Sequence, residues 1–502
     1  MSKFYLYAAA VQGIQDFIFK TNELRHIVGA SELVEQICTS DFNEFEENEK
    51  GEKTERFVVR AAGNIKYIFT DEETCKRAFC EFPKKVMTKA PGITVSQAVY
   101  GYNSESEFKT AIDEVERQLK TQRNKPPKSV LSGLMGIKRA NNTGLPVTGR
   151  TKDKEGNLLL FDDATSAKLA VSNNTVRKLC EKSFGSTIED KQVAYNISEI
   201  TGKNDWIAII HADGNGLGKV VQKVGKDKEI FREFSEKLNI ATTLAANAAY
   251  GAVEKKFKII PIRPVVLSGD DMTVIIRGDL AIEYAKVFIK TFEVKTQELL
   301  GSILNGNEVF ADGKDYLTAC AGIAFIKSSY PFYYGYQLAE ELCGQAKKDT
   351  KALAGDKNLP DSCLMFHKVQ DSFITNYEAI VERELSVEET QGSNVKVLPL
   401  FKAGPYYINV QENRYTVEDL EKCKKKLDGD SGTGVKSGVR NWITFRIEGK
   451  GKAEQREKRM KQIFSDEDKK TIDLLIKESN GRCLAYDVLA YHTIMNQETN
   501  ND

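Results

Sequence analysis

Apolar positions follow two rhythms along the chain, and the same order of rhythms occurs twice. Residues 4–10 are a continuous apolar run of strand length, leading through Val11-Gln12-Gly13 into Ile14-Gln15-Asp16-Phe17-Ile18-Phe19. Leu24, Ile27, Val28, Leu33, Val34 and Ile37 then recur at helical spacing. Residues 40–55 read as an acidic, polar loop. Two strands, 57–60 and 65–69, are joined by the hairpin Ala61-Ala62-Gly63-Asn64. A helix over 72–82, an alternating strand over 94–100 and an amphipathic helix over 108–119 complete the unit. Its order, β-α-β-β-α-β-α, is that of a ferredoxin-like sheet, or palm.

Residues 120–200 break the pattern with Lys125-Pro126-Pro127-Lys128, a Gly- and Asn-containing stretch and a helical segment over 164–182. The first order then returns. An apolar strand over 206–211 ends in Ala212-Asp213-Gly214-Asn215-Gly216-Leu217-Gly218. A long helix follows, with Phe234, Leu238, Ile240, Ala241 and Leu244 as its apolar stripe. Next come a hairpin around Ser268-Gly269-Asp270-Asp271, a helix over 280–300, a strand over 317–326, a helix over 336–348 and a last strand over 362–366. The fold class expected is α+β: two palms, over 1–130 and 201–385, with a connector over 131–200 and a helical C-terminal domain over 386–502. In that last domain, residues 422–461 carry a net charge of about +8 around a flexible loop beginning at Gly429.

Composition narrows this picture little. Lys plus Arg and Asp plus Glu number 72 each, so net charge gives no argument for a nucleic-acid binder. Nine unpatterned cysteines and four isolated histidines offer neither a disulfide framework nor zinc spacing. No run reaches the roughly 18 apolar residues of a membrane helix. We therefore expect a cytoplasmic protein with no membrane partner.

The chemistry enters at the second hairpin. Adjacent carboxylates repel, so Asp270-Asp271 gains nothing as a turn alone, and a bound divalent cation would remove the cost. In a palm the first and third strands are antiparallel neighbours, which brings Asp213 beside this pair. Three carboxylates, with the Gly214 carbonyl, can hold two Mg²⁺ or Mn²⁺ ions, an arrangement suited to in-line nucleotidyl transfer. The glycines at 214, 216 and 218 let backbone approach phosphates at a helix start. The first repeat supplies a comparison. Gly63-Asn64-Ile65 stands where Gly269-Asp270-Asp271 stands, and Val11 roughly where Asp213 stands, so the scaffold recurs without its acids.

The stretches 212–218 and 268–271 resemble the large subunit of type III CRISPR effectors, the CRISPR polymerase/cyclase family, whose palm is shared with GGDEF diguanylate cyclases. Residues 11–19 with Gly29-Ala30-Ser31 look like the start of that family's inactive first palm. Ala321-Gly322-Ile323-Ala324, Tyr330-Pro331, Ala339-Glu340 and Ala346-Lys347 are similar to the later part of its second. The resemblance implies a cyclase that turns ATP into cyclic oligoadenylate for antiviral defence. It implies Asp213, Asp270 and Asp271 as catalytic metal ligands with Gly214, and Gly216, Leu217, Gly218, Ser268, Gly269 and Lys347 as nucleotide contacts. Guide or target RNA and other effector subunits are the partners it implies. The chain reads as a compact, divergent member that opens on the first palm without the family's HD nuclease domain. Thr143-Gly144-Leu145-Pro146 is read as the remnant of a zinc ribbon without its Cys pairs. Ser268 stands in place of the family's usual Gly, and Asn215 in place of a frequent Asp. A non-catalytic scaffold subunit and a diguanylate or mononucleotide cyclase are the alternatives.

Overall fold

The computed structural model describes residues 4–46, 56–61, 63–124, 136–140, 143–152, 158–171, 173–201, 205–225, 227–254, 257–370, 376–391, 394–428 and 432–495. The Lys125–Lys128 run, Ala62, most of the expected acidic loop and residues 429–431 lie outside them. In the first repeat, β1 (Phe4–Gln12) leads into α1 (Ile14–Phe19) and α2 (Leu24–Cys38). β2 (Phe57–Ala61), β3 (Asn64–Phe69), α3 (Glu72–Lys89), β4 (Thr94–Tyr102) and α4 (Phe108–Arg123) follow. The strands lie in the palm order β2-β3-β1-β4, with β1 antiparallel to both neighbours.

Two expectations are corrected here. Residues 40–45 are not a solvated loop. They form a 3₁₀ turn that buries Phe42 and Phe45 against Phe82, with Phe42 also on Tyr67. α3 runs past Pro83, where a stop was expected. Proline has no N–H for the carbonyl four residues back, and that carbonyl, on Phe79, instead accepts from Gln97 Nε2 at 2.8 Å.

The middle stretch forms a hairpin, β5 (Gly149–Lys152) and β6 (Leu158–Phe161), then α5 (Asp163–Ala170), α6 (Asn173–Phe184) and α7 (Ile197–Thr201). It joins the palms physically. α5 crosses α2 so closely that a Cβ on Gly29 would stand 2.1 Å from the Lys168 carbonyl oxygen. The buried Lys168 ammonium donates to the carbonyl of Phe17 at 2.5 Å. α6 packs on the second palm, where Lys182 Nζ donates to the carbonyl of Leu267 at 2.8 Å.

The second palm comprises β7 (Trp206–Gly214), α8 (Leu217–Val224), α9 (Lys228–Val253), β8 (Ile262–Ser268) and β9 (Asp271–Arg277). It continues with α10 (Ala281–Gly306), β10 (Ala319–Lys327), α11 (Phe332–Ala354) and β11 (Cys363–Lys368). β7 and β10, at its centre, are almost wholly buried, which explains their unbroken apolar runs. The stripe expected on α9 is rotated. Ile240 and Leu244 are exposed, while Phe234, Leu238, Ala241 and Thr242 face the core.

The C-terminal region is not purely helical. After α12 (Tyr377–Glu384) come the hairpin β12 (Val387–Gln391) and β13 (Asn394–Leu398), then β14 (Tyr406–Tyr407). β14 pairs antiparallel with β11, giving the second palm a six-stranded sheet of order β14-β11-β10-β7-β9-β8. The helices α13 (Val417–Leu427), α14 (Gly432–Glu448), α15 (Lys450–Ile463), α16 (Asp466–Ile476) and α17 (Ala485–Met495) complete the chain. Gly432 onward, expected as loop, is the first turn of α14. Asp349 on α11 ties this region to the palm through Tyr407 Oη (2.7 Å) and Arg414 Nε (3.0 Å). Among the described residues, no helix is long and apolar enough to cross a membrane.

Candidate functional site

Strand register brings the acids together. β7 and β9 run antiparallel with Ala212 opposite Met272, so the next step sets Asp213 opposite Asp271. Ser268 pairs with Asp271 across the hairpin, which makes Gly269 and Asp270 its two turn residues. Gly269 has φ 63° while Asp270 stays out of the left-handed region. Glycine at the first central position is what a type II′ turn requires. The turn folds Asp270 back over β7, and a Cβ on Gly214 would lie 3.0 Å from both Asp270 Cβ and its Oδ2. Glycine at 214 is thus needed for the acids to converge.

Carboxylate oxygens of Asp213, Asp270 and Asp271 all lie within 4.8 Å of one another. Burial, with Asp271 and Asp213 alongside, holds the Asp270 carboxyl well above the usual carboxylate range. Burial, then Asp213, pushes Asp271 up to about 7. Two carboxyls held above their usual range, with a third converging on them, are a fitting set of hard oxygen donors for Mg²⁺ or Mn²⁺. Lys347, on α11, reaches the same cluster. Its Nζ bonds the Asp213 carboxylate and donates to the Gly214 carbonyl at 2.8 Å.

The same registers correct the comparison between the palms by one residue. Ala10 pairs with Asn64 as Asp213 does with Asp271. Gly13 and Gly216, both left-handed, precede α1 and α8 respectively. The positions matching Asp213, Asp270 and Asp271 are therefore Ala10, Gly63 and Asn64, rather than Val11, Asn64 and Ile65. The first palm still lacks all three acids.

Gly216 is wedged against Phe310, whose ring lies 3.0 Å from where a Cβ would stand, while Leu217 and Gly218 form the first turn of α8. Asn215 neither caps α8 nor joins the acids. It is 4% exposed, and its Nδ2 donates to Thr318 Oγ1 at 3.1 Å and approaches Cys320 Sγ. His211 is a buried core residue, with Nδ1 3.1 Å from Thr273 Oγ1. Two supports carry no local motif and were missed in the sequence. One is Lys182 on Leu267. The other is the buried Thr242 of α9, whose hydroxyl lies 2.6 Å from the Gly269 carbonyl oxygen. Thr242→Val keeps the shape and strands that carbonyl, so we expect a loss of about 1 kcal/mol in stability. Chemical denaturation checks this, and unchanged stability would deny Thr242 a role in holding the turn.

Residues 206–354 match the family model for the Cas10/Cmr2 second palm domain. Among solved structures, the Csm1–Csm4 cassette in complex with pppApApA aligns over 99% of this chain and 70% of that chain, at 12% identity and a TM-score of 0.59. The cassette in complex with one ATP aligns over 97% and 70%, at 13% identity and a TM-score of 0.54. The alignment to the cassette in complex with pppApA covers 69% of this chain and 53% of that chain, at 14% identity and a TM-score of 0.47. The present chain thus spans about half the length of that relative. At these identities the likeness is one of fold. No curated protein matches the chain.

Proposed function

From the premise that this is a Cas10-like chain with a second palm of the Cas10/Cmr2 kind, we propose that it is a divalent-metal-dependent nucleotidyltransferase. It joins ATP into cyclic oligoadenylate as a second messenger of type III CRISPR defence. The carrying observation is the convergence of Asp213, Asp270 and Asp271 in one palm, where the matching positions of the other are Ala10, Gly63 and Asn64. Asp213, Asp270, Asp271 and the Gly214 carbonyl would hold two Mg²⁺ or Mn²⁺ ions. Bound there, the ions supply Lewis-acid activation of a hydroxyl and neutralise charge on a phosphoryl group.

The chain's own groups do the rest. Gly269 sets the turn that aims Asp270, and Ser268 lines the nucleotide's entry beside it. The N-terminal turn of α8, at Gly216, Leu217 and Gly218, presents backbone N–H groups that suit phosphate. Lys347 supplies a cation for the triphosphate. Apart from the acids themselves, the stretches 212–218 and 268–271 contain no evident general base. Partners in the reading are ATP, guide or target RNA, and a neighbouring subunit of the Csm4 kind.

The test is incubation with ATP and Mg²⁺ or Mn²⁺, with and without candidate activating RNA, the product being identified by mass. Cyclic oligoadenylate supports the reading. A product from GTP alone would reassign the chain to the diguanylate or mononucleotide cyclases, and no product with RNA co-purifying would make it a scaffold. Lys347→Gln should raise the KM for ATP about tenfold with a smaller change in kcat, since a triphosphate contact made before the transition state is uniform binding. A fall in kcat alone would place Lys347 in the chemistry instead.

A further inference from the structure

A cleft of about 870 Å³ separates the palms. One wall is the β8–β9 hairpin with Ser268 and Asp271. The other is α2, with Ser31, Glu32 and Gln36. Ser31 Oγ bonds the Val265 carbonyl and so pins the walls together. Val265 precedes Ser268 by three residues, roughly 10 Å along a strand. That is about the span of a nucleotide from its α-phosphate to the edge of its base. A nucleotide with its phosphates at the acid cluster is therefore long enough to extend along β8 toward α2, which lines the same cleft.

We propose that Glu32, seconded by Gln36, reads the base in this cleft and selects adenine over guanine, an inference that rests on the nucleotidyl-transfer reading of the acid cluster. Glu32 is only 8% exposed, yet it has no cation at ion-pair distance among the described residues. Among the described residues its one hydrogen-bond partner is Gln36, whose Nε2 donates to Oε1 at 3.3 Å. Other polar groups of the cleft are engaged or solvated. Gln15 donates to Glu340, Lys182 donates to Leu267, and Asp16 is exposed. A buried carboxyl with no direct ion pair is costly unless it is neutral or awaits a partner.

Burial pushes Glu32 up to about 7, partly offset by Gln36. Below about neutrality the protonated carboxyl therefore presents an O–H donor beside a C=O acceptor, and above it an ionised acceptor only. Adenine offers the complement on its Watson–Crick edge, N1 accepting and the 6-amino group donating. Guanine offers N1–H and an amino group, two donors, which suit an ionised carboxylate. The charged groups around Glu32 are Glu35 on its own helix, Lys89 of α3, Lys178 and Lys182 of α6, Asp16 of α1 and Asp271 of β9. His211 and Tyr336 are the other titratable groups lining the cleft.

The test compares ATP with GTP in kcat/KM and, independently of turnover, in equilibrium binding with Mn²⁺. Wild type should favour ATP, with a ratio that falls as pH rises from 6 to 8. Taking a ratio cancels the ionisation of the metal-binding acids. Glu32→Ala should lower the ratio by about tenfold to a hundredfold, the usual weight of a two-hydrogen-bond base contact. Glu32→Gln, whose amide also offers a donor and an acceptor, should keep the preference and lose its pH dependence, and it is close enough in shape to report on folding. An unaltered ratio in Glu32→Ala, or a wild-type ratio flat with pH, overturns the proposal. Absent turnover with base-selective binding intact would instead count against the transferase reading while supporting Glu32.

Discussion

Asp271→Asn is expected to abolish metal-dependent turnover of ATP, by about 10³-fold or more, while making the metal-free protein more stable at neutral pH. The loss follows from removing one of three converging carboxylates where charge on a transferring phosphoryl group must be neutralised. The gain follows from linkage. Burial and Asp213 push the carboxyl from its ordinary value near 4 to about 7 in the folded chain. Between those values the folded state binds more protons than the unfolded one, so stability falls as pH rises, and above about 7 the full cost is present. The amide removes that cost, of the order of 2 kcal/mol once partial exposure to solvent is allowed for. The effect should be absent near pH 4. A divalent cation relieves the same repulsion, so Mn²⁺ should raise the melting temperature of the wild type and leave Asp271→Asn nearly unmoved. Metal affinity should strengthen from pH 6 to 8, because Asp270 and Asp271 must give up protons to bind. Full activity in Asp271→Asn, or an undiminished Mn²⁺ shift, would remove the acids from the site.

The acid cluster is legible in the sequence because it combines a local signal with a topological rule. Asp270-Asp271 is conspicuous in a turn, and palm topology sets the first strand beside the third. The register was less legible. A slip of one residue along the continuous buried run of β1 leaves its apolar pattern almost intact, so Val11 stands in place of Ala10 in the sequence comparison. The hydrogen bond of Val11 N to the Gly63 carbonyl, and the two left-handed glycines, are features of backbone geometry that composition does not encode. β14 escaped notice because two residues carry no periodicity, and the partner that makes them a strand lies on β11. Ile240 and Leu244 show the opposite failure. Their spacing fits a buried helical stripe, but the face that α9 buries was chosen by small residues, Ala241, Thr242 and Ala245, which allow close packing on the second palm. Thr242 and Lys182 support the hairpin from segments that lie next to it only after folding. Glu32 in a helix reads as an ordinary surface acid until α2 is seen to form the wall of the cleft.

That dependence of chemistry on packing makes Gly322→Ala the second large expected effect. Gly322 sits mid-strand in β10, opposite His211 of β7, and α11 rests directly on it. A Cβ there would meet the Ala339 carbonyl oxygen at 1.9 Å and the Cys343 nitrogen at 2.5 Å. Both are helix backbone and cannot rotate away as a side chain could, so α11 must lift from the sheet by about 1 Å or more. The expected cost is about 3 kcal/mol or more, above the ordinary range for one inserted methyl because both opposing atoms are rigid. The consequence reaches the site because Lys347 lies one turn beyond Cys343 on the same helix and bonds Asp213 and the Gly214 carbonyl. Displacing α11 withdraws that cation and loosens the end of β7, so ATP turnover should fall further than the loss of folded protein explains. Gly344→Ala is the control on the same helix. Nothing lies within 4 Å of its Cβ position, so alanine there should be neutral or stabilise by up to about 1 kcal/mol through helix propensity. Chemical denaturation and turnover measured on both variants separate the outcomes. If Gly322→Ala unfolds at the same denaturant concentration as wild type, close contact between α11 and β10 is not what holds Lys347 over the acids.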